Sequence, residues 1–235
     1  MVLPDGTTGA AHIETYEGIP MIDLATWEPR FAAFLDTNSA QQDAAHDREH
    51  IRRVVTNARM LATVEGADLA VVIPAAWLHD CVAVAKDSPQ RSLASSMAAT
   101  AASSFLAWSG YPPFHIPAIA HAIIAHSFSA RVTPLTLEAR VVQDADRLDA
   151  LGAVGLSRCL MLGGQRGKPL YVPDEPFPHR RTPDDSASAI DHFYTKLLGL
   201  AATMTTQTGR QEAERRTRFL HQFIDQLASE LGLAP

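Results

Sequence analysis

Two histidines and two aspartates in this sequence could bind one divalent cation. His79 and Asp80 are adjacent, and His50 lies 29 residues before His79. Asp146 lies 66 residues after Asp80. Imidazole nitrogens and carboxylate oxygens together suit a divalent metal that activates water. Because the four residues come from three distant segments, only a folded core could bring them together.

Charged residues near these four could complete a hydrolytic site. A divalent cation can lower the pKa of a bound water toward roughly 7, which produces a hydroxide nucleophile. Asp87 and Asp149 are candidates for a general base or for salt-bridge partners of nearby cations, and the sequence leaves both roles open. An anionic substrate such as a phosphate also needs cations, which bind its oxygens as point charges or as bidentate forks. Four cations lie within a few residues of a proposed ligand: Arg53, Lys86, Arg91 and Arg147.

The composition describes an acidic chain long enough for one large domain or two small ones. It has 235 residues, of which 46% are hydrophobic, and a formal net charge of −6. An acidic surface disfavours a nucleic-acid partner, because counterion release needs clustered Lys and Arg. It still allows a small phosphorylated substrate, which needs only a local cationic pocket.

The sequence carries no recognisable targeting pattern. Its first residues, MVLPDGTTGAAHIETYEG, have neither the basic region nor the apolar run of a secretory signal. No apolar run approaches the ~20 residues that span a bilayer. Cys81 and Cys159 lie in apolar stretches and form no CxxC pair, which favours buried thiols over a disulfide. These patterns predict a cytoplasmic protein without a membrane partner.

Apolar residues recur at spacings of three and four along most of the chain, which predicts an all-α, single-domain helical bundle. Residues 1–20 are predicted to be a loosely attached arm, and residues 21–235 the helical domain. Within that domain, residues 165–185 are rich in Pro, Gly and charge, which predicts a long loop. Helices are predicted at about residues 22–35, 44–65, 88–108, 115–128, 133–146, 148–162, 186–204 and 209–231.

One further segment, ADLAVVIPAAWLHDCVAVA, is apolar on nearly all sides, as a central buried helix would be. Asp68 or a neighbour precedes this helix. Pro74 is expected in the first turn of the helix proper, because proline lacks the N–H that a helix interior needs. His79 and Asp80 would then lie inside a buried segment. A charged carboxylate is costly to bury there unless it is paired or metal-bound.

Four motifs in chain order resemble those of a known family. They are HDREHIRRV from His46, WLHD ending at Asp80, HSFS from His126, and DADRLDALGAVG from Asp144. With the later segments DHFYTKLL and AERRTRFL, the sequence resembles the HD-domain superfamily of metal-dependent phosphohydrolases, and more narrowly its small bacterial hydrolases. The likeness runs from about His46 to Glu230. It implies an all-helical bundle with a metal site at its centre.

The resemblance also implies roles for individual residues. Asp80 would take part in catalysis as well as in metal binding. His126, in HSFS, could face the substrate phosphates or a second metal, and Ser127 could bind the substrate. His46 would support the site by hydrogen-bonding a ligand. The implied metal ligands are His50, His79, Asp80 and Asp146, with water and phosphate oxygens completing the coordination.

Two departures from family patterns reduce the number of candidate reactions. Alarmone-hydrolysing members resemble one another in a Glu-Asp pair four and five residues after the HD histidine, where this chain has Ala83 and Val84. Dinuclear phosphodiesterases need extra histidines after the HD pair, and the helix after Arg91 offers none. One divalent metal is therefore expected. Its identity stays open among Mn, Fe, Ni, Co, Zn and Mg, since availability often decides.

The leading hypothesis is metal-dependent hydrolysis of a nucleotide, with a (deoxy)nucleoside triphosphate as substrate. Phosphodiesterase or phosphomonoesterase activity is the alternative within enzymes. A nucleotide-binding regulatory module with little or no turnover is the alternative from another class. A homodimer also stays open, although no sustained heptad pattern marks an interface.

Overall fold

The chain is all-α over the residues that the computed structural model describes, which are 22–38, 48–84 and 88–233. The predicted all-α, single-domain fold is confirmed. No helix in those ranges is both long enough and apolar enough to cross a membrane. The predicted arm at 1–20 and the site candidates His46, Lys86 and Asp87 lie outside the described residues. The α-helices are α1 (Leu24–Asn38), α2 (Arg48–Glu65), α3 (Leu69–Leu78), α4 (Ala94–Ser109), α5 (Ile116–His126), α6 (Leu137–Leu148), α7 (Gly152–Gln165), α8 (Ala189–Thr195) and α9 (Gln207–Glu230).

Helix α3 lies at the centre of the bundle. It is buried at every position from Val71 to Leu78, and α1, α2, α5 and α6 pack around it. A helix that is apolar all round is stable only where neighbours cover all its sides. Asp68 caps its N-terminus by accepting a hydrogen bond from the Ala70 N–H at 2.8 Å. Such a cap contributes ~1 kcal/mol and fixes where the helix begins.

The prediction that Pro74 marks the start of α3 is wrong, because Pro74 lies inside the helix. A proline at this position cannot donate to the carbonyl of Ala70, as another residue would. The hydroxyl of Tyr111 donates to Ala70 O instead, at 2.5 Å. His79 is the C-cap of α3, so His79 and Asp80 lie at a helix end and not within a helix.

Other predicted boundaries also differ from the structure, among them the start of the helix predicted at 88–108, which begins as α4 at Ala94. Helix α6 does not begin near Thr133, because the hydroxyl of Thr136 accepts from the Ala139 N–H at 3.2 Å and caps the helix. The single helix predicted at 186–204 is instead α8 followed by a 3₁₀ helix at Leu197–Thr203. Capping hydroxyls and local winding decide these ends, and periodicity alone does not reveal them.

Two glycines with different roles fix the turn between α6 and α7. Gly152 has a φ of +68°, a backbone conformation that side chains rarely adopt, and a Cβ there would lie 3.3 Å from Arg216. Gly155 has an ordinary φ, but a Cβ there would lie 2.1 Å from the carbonyl oxygen of Ala150. Asp149, the C-cap of α6, is therefore held in one position by a turn that needs glycine at both places.

The segment between α7 and α8 has no α-helix in the described residues 166–188. It is attached to the body of the protein by Arg181, which donates to both carboxylate oxygens of Asp191 in α8, at 2.5 and 2.7 Å. Phe177, in the middle of the segment, is buried. The segment therefore follows a defined path over the bundle.

Candidate metal centre

Helix ends bring the proposed ligands together. His50 lies in the first turn of α2, and His79, followed by Asp80, lies at the carboxyl end of α3. Asp146 lies in the last turn of α6, and His126 is the last residue of α5. The carboxyl ends of α3, α5 and α6 thus meet at one place. Their partial negative charge favours a cation there.

The donor atoms form two overlapping groups that share His79. His50, His79 and Asp146 each offer an atom within 4.8 Å of the others, and so do His79, Asp80 and His126. His79 Nε2 lies 3.6 Å from Asp80 Oδ2 and 3.9 Å from Asp146 Oδ1. His50 Nε2 lies 3.4 Å from Asp146 Oδ1. These distances are too long for good hydrogen bonds, and within each group they are typical of neighbouring ligands of one ion at about 2.1 Å.

His79 gives the clearest indication that a cation fits here. Its ring is fully buried, and its Nδ1 donates to the carbonyl oxygen of Ala76 at 2.8 Å. Its Nε2 is also buried and has no hydrogen-bond partner. Burial lowers the pKa of His79, which favours the neutral ring with a lone pair on Nε2. An unsatisfied buried polar atom costs about 1–3 kcal/mol, and a divalent ion among these donors would satisfy it.

His50 is held from outside the cluster by Asp149. Its Nδ1 donates to Asp149 Oδ2 at 2.7 Å, and its Nε2 faces Asp146. Burial lowers the pKa of His50, but the hydrogen bonds with Asp146 and Asp149 raise it by more, to about 9. Binding of a cation at Nε2 would therefore release a proton.

Asp149 makes the contacts of a salt-bridge partner, and its role as a general base stays a prediction. Arg53 donates through Nε to Oδ1 at 2.7 Å and through NH2 to Oδ2 at 3.1 Å. Arg158 donates through NH1 to Oδ2 at 2.6 Å. Burial raises the pKa of Asp149, but hydrogen bonds from His50 and Arg53 lower it by more, so that it lies below its usual value. Such a carboxylate is a poor proton acceptor near neutral pH.

The other described cations expected to bind phosphate also contact protein atoms. Arg91 donates through NH1 to Val84 O at 3.0 Å, which ties it to the segment that follows Asp80. Arg147 donates to Thr203 O at 2.5 Å and is thereby tied to the 3₁₀ helix before α9. The expected role of Arg147 as a phosphate ligand stays a prediction.

His126 adds a fifth donor to the cluster. Its Nδ1 donates to Ile123 O at 2.5 Å, which leaves Nε2 facing Asp80 Oδ1 at 3.6 Å. Burial lowers the pKa of His126, but the neighbouring Asp80 raises it by more. The hydroxyl of Ser127, the next residue, lies 3.0 Å from that of Ser129.

Sequence reasoning missed two polar residues that organise this region. Arg158 comes from α7, and a glycine turn separates it from Asp149, so that no helical spacing links the two. Asp144 is fully buried and accepts from the backbone N–H and hydroxyl groups of Thr205 and Thr206, just before α9. The motif DADRLDALG drew attention to this segment, but it did not distinguish the aspartate that anchors α9.

The sequence matches a family model over the part of the chain that contains the cluster. Residues 48–151 match the model of the HD domain. A relative, YpgQ of Bacillus subtilis (strain 168), is 34% identical over 194 residues, which cover 81% of this chain and 86% of YpgQ.

Solved structures agree with this match. The crystal structure of B. subtilis YpgQ in complex with ADP is 33% identical in sequence to this chain. The two structures superpose with a TM-score of 0.65 over 88% of this chain and 95% of YpgQ. An HD-superfamily hydrolase from Bacillus thuringiensis is 32% identical, with a TM-score of 0.65 over 87% of this chain and 98% of that one. A protein from Lactobacillus plantarum is 35% identical, with the same TM-score and the same shares of the two chains.

Proposed function

Because the chain belongs to the HD-domain family, we propose that it is a metal-dependent phosphohydrolase that acts on a nucleotide, with a (deoxy)nucleoside triphosphate as the leading substrate. The observation that carries the proposal is the buried, unpartnered Nε2 of His79 among the side chains of His50, Asp80 and Asp146. The neighbour named as an HD-superfamily hydrolase supports hydrolysis. The ADP complex of YpgQ supports a nucleotide ligand.

In this proposal one divalent ion binds to the four side chains that the motifs identify. When bound, it would supply Lewis acidity for the attack of water on phosphorus. Mn, Fe, Ni, Co, Zn and Mg all remain candidates for a set of two nitrogens and two oxygens. The proposed ligands are His50, His79, Asp80 and Asp146.

His126 is the proposed group that transfers a proton. Its Nδ1–H is engaged by Ile123 O, so Nε2 is the nitrogen that can exchange a proton with the substrate. Nε2 lies beside Asp80, on the same side of the ring as the cluster. As the bond between phosphorus and the leaving oxygen breaks, Nε2 would donate its proton to that oxygen.

Phosphate binding would depend on residues next to the ligands. Arg91 is half-buried and anchored to Val84 O, and its remaining N–H groups are proposed to contact phosphate oxygens. The hydroxyl of Ser127, directly after His126, is proposed as a further donor. The role of Lys86 in phosphate binding remains a prediction, as does the role of Asp87 as a general base.

A substrate screen tests the proposal. Protein freed of metal with a chelator and reloaded with Mn²⁺ would be incubated with deoxynucleotides, ribonucleotides, cyclic nucleotides and sugar phosphates. Release of pyrophosphate would identify cleavage of a triphosphate between the α and β phosphorus atoms. Release of inorganic phosphate would identify a phosphatase, and a nucleoside monophosphate from a cyclic nucleotide a phosphodiesterase. If the loaded protein hydrolyses no phosphate compound, or if a His79→Ala control hydrolyses the same compounds at the same rate, the enzymatic proposal is rejected.

A nucleotide-binding regulatory module is the second candidate, because ADP occupies YpgQ in its crystals. Calorimetric titration of the Mn²⁺-loaded protein with ADP and with nucleoside triphosphates would separate the two functions. Tight binding of both, with no product after long incubation, would favour the regulatory module. Weak binding of ADP with turnover of a triphosphate would favour the enzyme.

A further inference from the structure

We infer that Asp149 is a positioning residue for the cation site: it fixes the ring of His50, and Arg158 in turn fixes Asp149. The inference rests on the proposed function, because the orientation of His50 matters only if a cation binds there. Asp149 would maintain the geometry and the cation affinity of the site without taking part in proton transfer.

The contact between Asp149 and His50 determines which ring nitrogen faces the cluster. Asp149 Oδ2 accepts a hydrogen bond from Nδ1 at 2.7 Å, so Nδ1 carries a hydrogen. The other nitrogen, Nε2, then faces Asp146 Oδ1 at 3.4 Å. Histidines that bind metals usually donate their second N–H to a carboxylate or carbonyl, which fixes the ring and raises its basicity. The pair of His50 and Asp149 has this arrangement.

Asp149 needs support of its own, because it is charged and only 1% exposed. Arg53 bridges both of its oxygens, at 2.7 and 3.1 Å. Arg158 donates through NH1 to Asp149 Oδ2 at 2.6 Å and to the Asp149 carbonyl oxygen at 3.2 Å. The carboxylate cannot rotate without breaking several charge-assisted hydrogen bonds, each stronger than a neutral one.

Arg158 connects the cluster to a helix that contributes none of its five donors. His50 and Arg53 share one face of α2, whereas Arg158 lies on α7, beyond the glycine turn. Asp149 ends α6 between them and is therefore held from two sides. The position of His50 thus depends on α7, and a substitution in α7 should change cation affinity without touching a ligand.

Titration of chelator-treated protein with Mn²⁺ by calorimetry tests this. Asp149→Asn should weaken Mn²⁺ binding by roughly 10–100-fold, the usual effect of removing a carboxylate behind a metal-binding histidine. Arg158→Gln should weaken it by less, and Arg158→Lys should restore part of that loss. The matched control is Asp191→Asn, which removes an equally buried, arginine-paired charge that contacts none of the donors, and it should leave Mn²⁺ affinity unchanged.

A spectroscopic measurement gives a readout that loss of stability would not produce. In the zinc-loaded protein, side-chain nitrogen NMR should show His50 with its hydrogen on Nδ1, in a strong hydrogen bond that weakens in both Asp149→Asn and Arg158→Gln. The His50 signals are assigned by their loss in His50→Gln. Wild-type affinity for Mn²⁺ in Asp149→Asn, or unchanged His50 signals in that variant, would overturn the inference. If the wild-type protein binds no Mn²⁺ or zinc at all, the proposed function fails instead, and that result is recognisable before any variant is made.

Discussion

Asp149 and Asp191 are both almost fully buried, and each accepts hydrogen bonds from an arginine on both of its oxygens. Their partners come from different parts of the chain. Asp191 accepts from Arg181, from the Asp184 N–H and from the Ser188 hydroxyl, all within ten positions. Asp149 instead accepts from residues on α2 and α7, and one of these donors is a histidine of the cluster.

This contrast separates a polar group with a structural role from one that supports a ligand site. Burial and arginine pairing do not distinguish the two aspartates. All these partners of Asp191 lie in the segment just before it, so the contacts of Asp191 only hold that loop in place. The contacts of Asp149 continue through His50 to a cluster in which His79 Nε2 has no partner. Since native proteins leave few buried polar atoms unsatisfied, such an atom among several metal-binding side chains is the feature that indicates function.

The largest effect on Mn²⁺ binding is expected from His79→Ala, which changes the donor cluster and leaves the contacts of Asp191 intact. Removal of the shared donor should weaken Mn²⁺ binding by more than roughly 100-fold and abolish any hydrolysis. The free energy of unfolding should fall by less, because the loss of an unsatisfied buried atom partly offsets the cost of the cavity that remains. Calorimetry with Mn²⁺ and urea unfolding of the metal-free protein measure the two effects. If this variant still binds Mn²⁺, the cluster is not a metal site, and it does not differ in function from the contacts of Asp191.

His126→Gln should show that, within the cluster, metal binding and proton transfer depend on different residues. Loss of a positioned general acid typically lowers kcat by roughly 100- to 10,000-fold. Mn²⁺ affinity should fall far less, since four other donors remain. His121→Gln, on the same helix, is the control: its ring accepts from the Leu135 N–H at 3.0 Å and belongs to neither donor group. Equal loss of Mn²⁺ binding and of kcat would show instead that His126 is a ligand.

Asp191→Asn should give the opposite pattern to His79→Ala. Arg181 is partly exposed and keeps its hydrogen bonds to the Glu175 carbonyl, so loss of its buried partner should cost up to about 3 kcal/mol. The free energy of unfolding, measured in urea, should fall by an amount of that order, whereas Mn²⁺ affinity stays at the wild-type value. A large loss of affinity would mean that the loop at 166–188 also shapes the site.

Acid should weaken the Asp191 contacts in a defined pH range. Hydrogen bonds from Arg181 lower the pKa of Asp191 from 3.8 to about 2 in the folded protein. The unfolded state therefore binds the proton first, so this contribution to stability is complete above pH ~4 and is lost as pH falls toward 2. The difference in unfolding free energy between wild type and Asp191→Asn should shrink over that interval. A constant difference from pH 6 to pH 2 would contradict it.

The sequence predicted the parts of this molecule that depend on residue type and short spacing. Apolar periodicity indicated the helices, and the HD dipeptide with its two distant partners indicated the cluster. Arg158 and Asp144 could not be predicted, because their partners are set by how helices pack and not by a local pattern. The role of Asp149 was open for the same reason: its motif specifies the carboxylate, and only the fold specifies which donors surround it.

The smallest expected effect concerns a third polar contact, which positions the helix that ends in His79. Tyr111→Phe removes the donor to Ala70 O, the carbonyl that Pro74 leaves without its usual partner. Leaving this half-buried carbonyl without its donor should cost about 1 kcal/mol of unfolding free energy, with Mn²⁺ affinity unchanged. In a Pro74→Ala background the restored N–H can reach Ala70 O, so Tyr111→Phe should cost less there. Equal costs in the two backgrounds would mean that the hydroxyl does not substitute for the missing N–H. Loss of Mn²⁺ affinity would mean that this contact, unlike that of Asp191, acts on the cluster through α3.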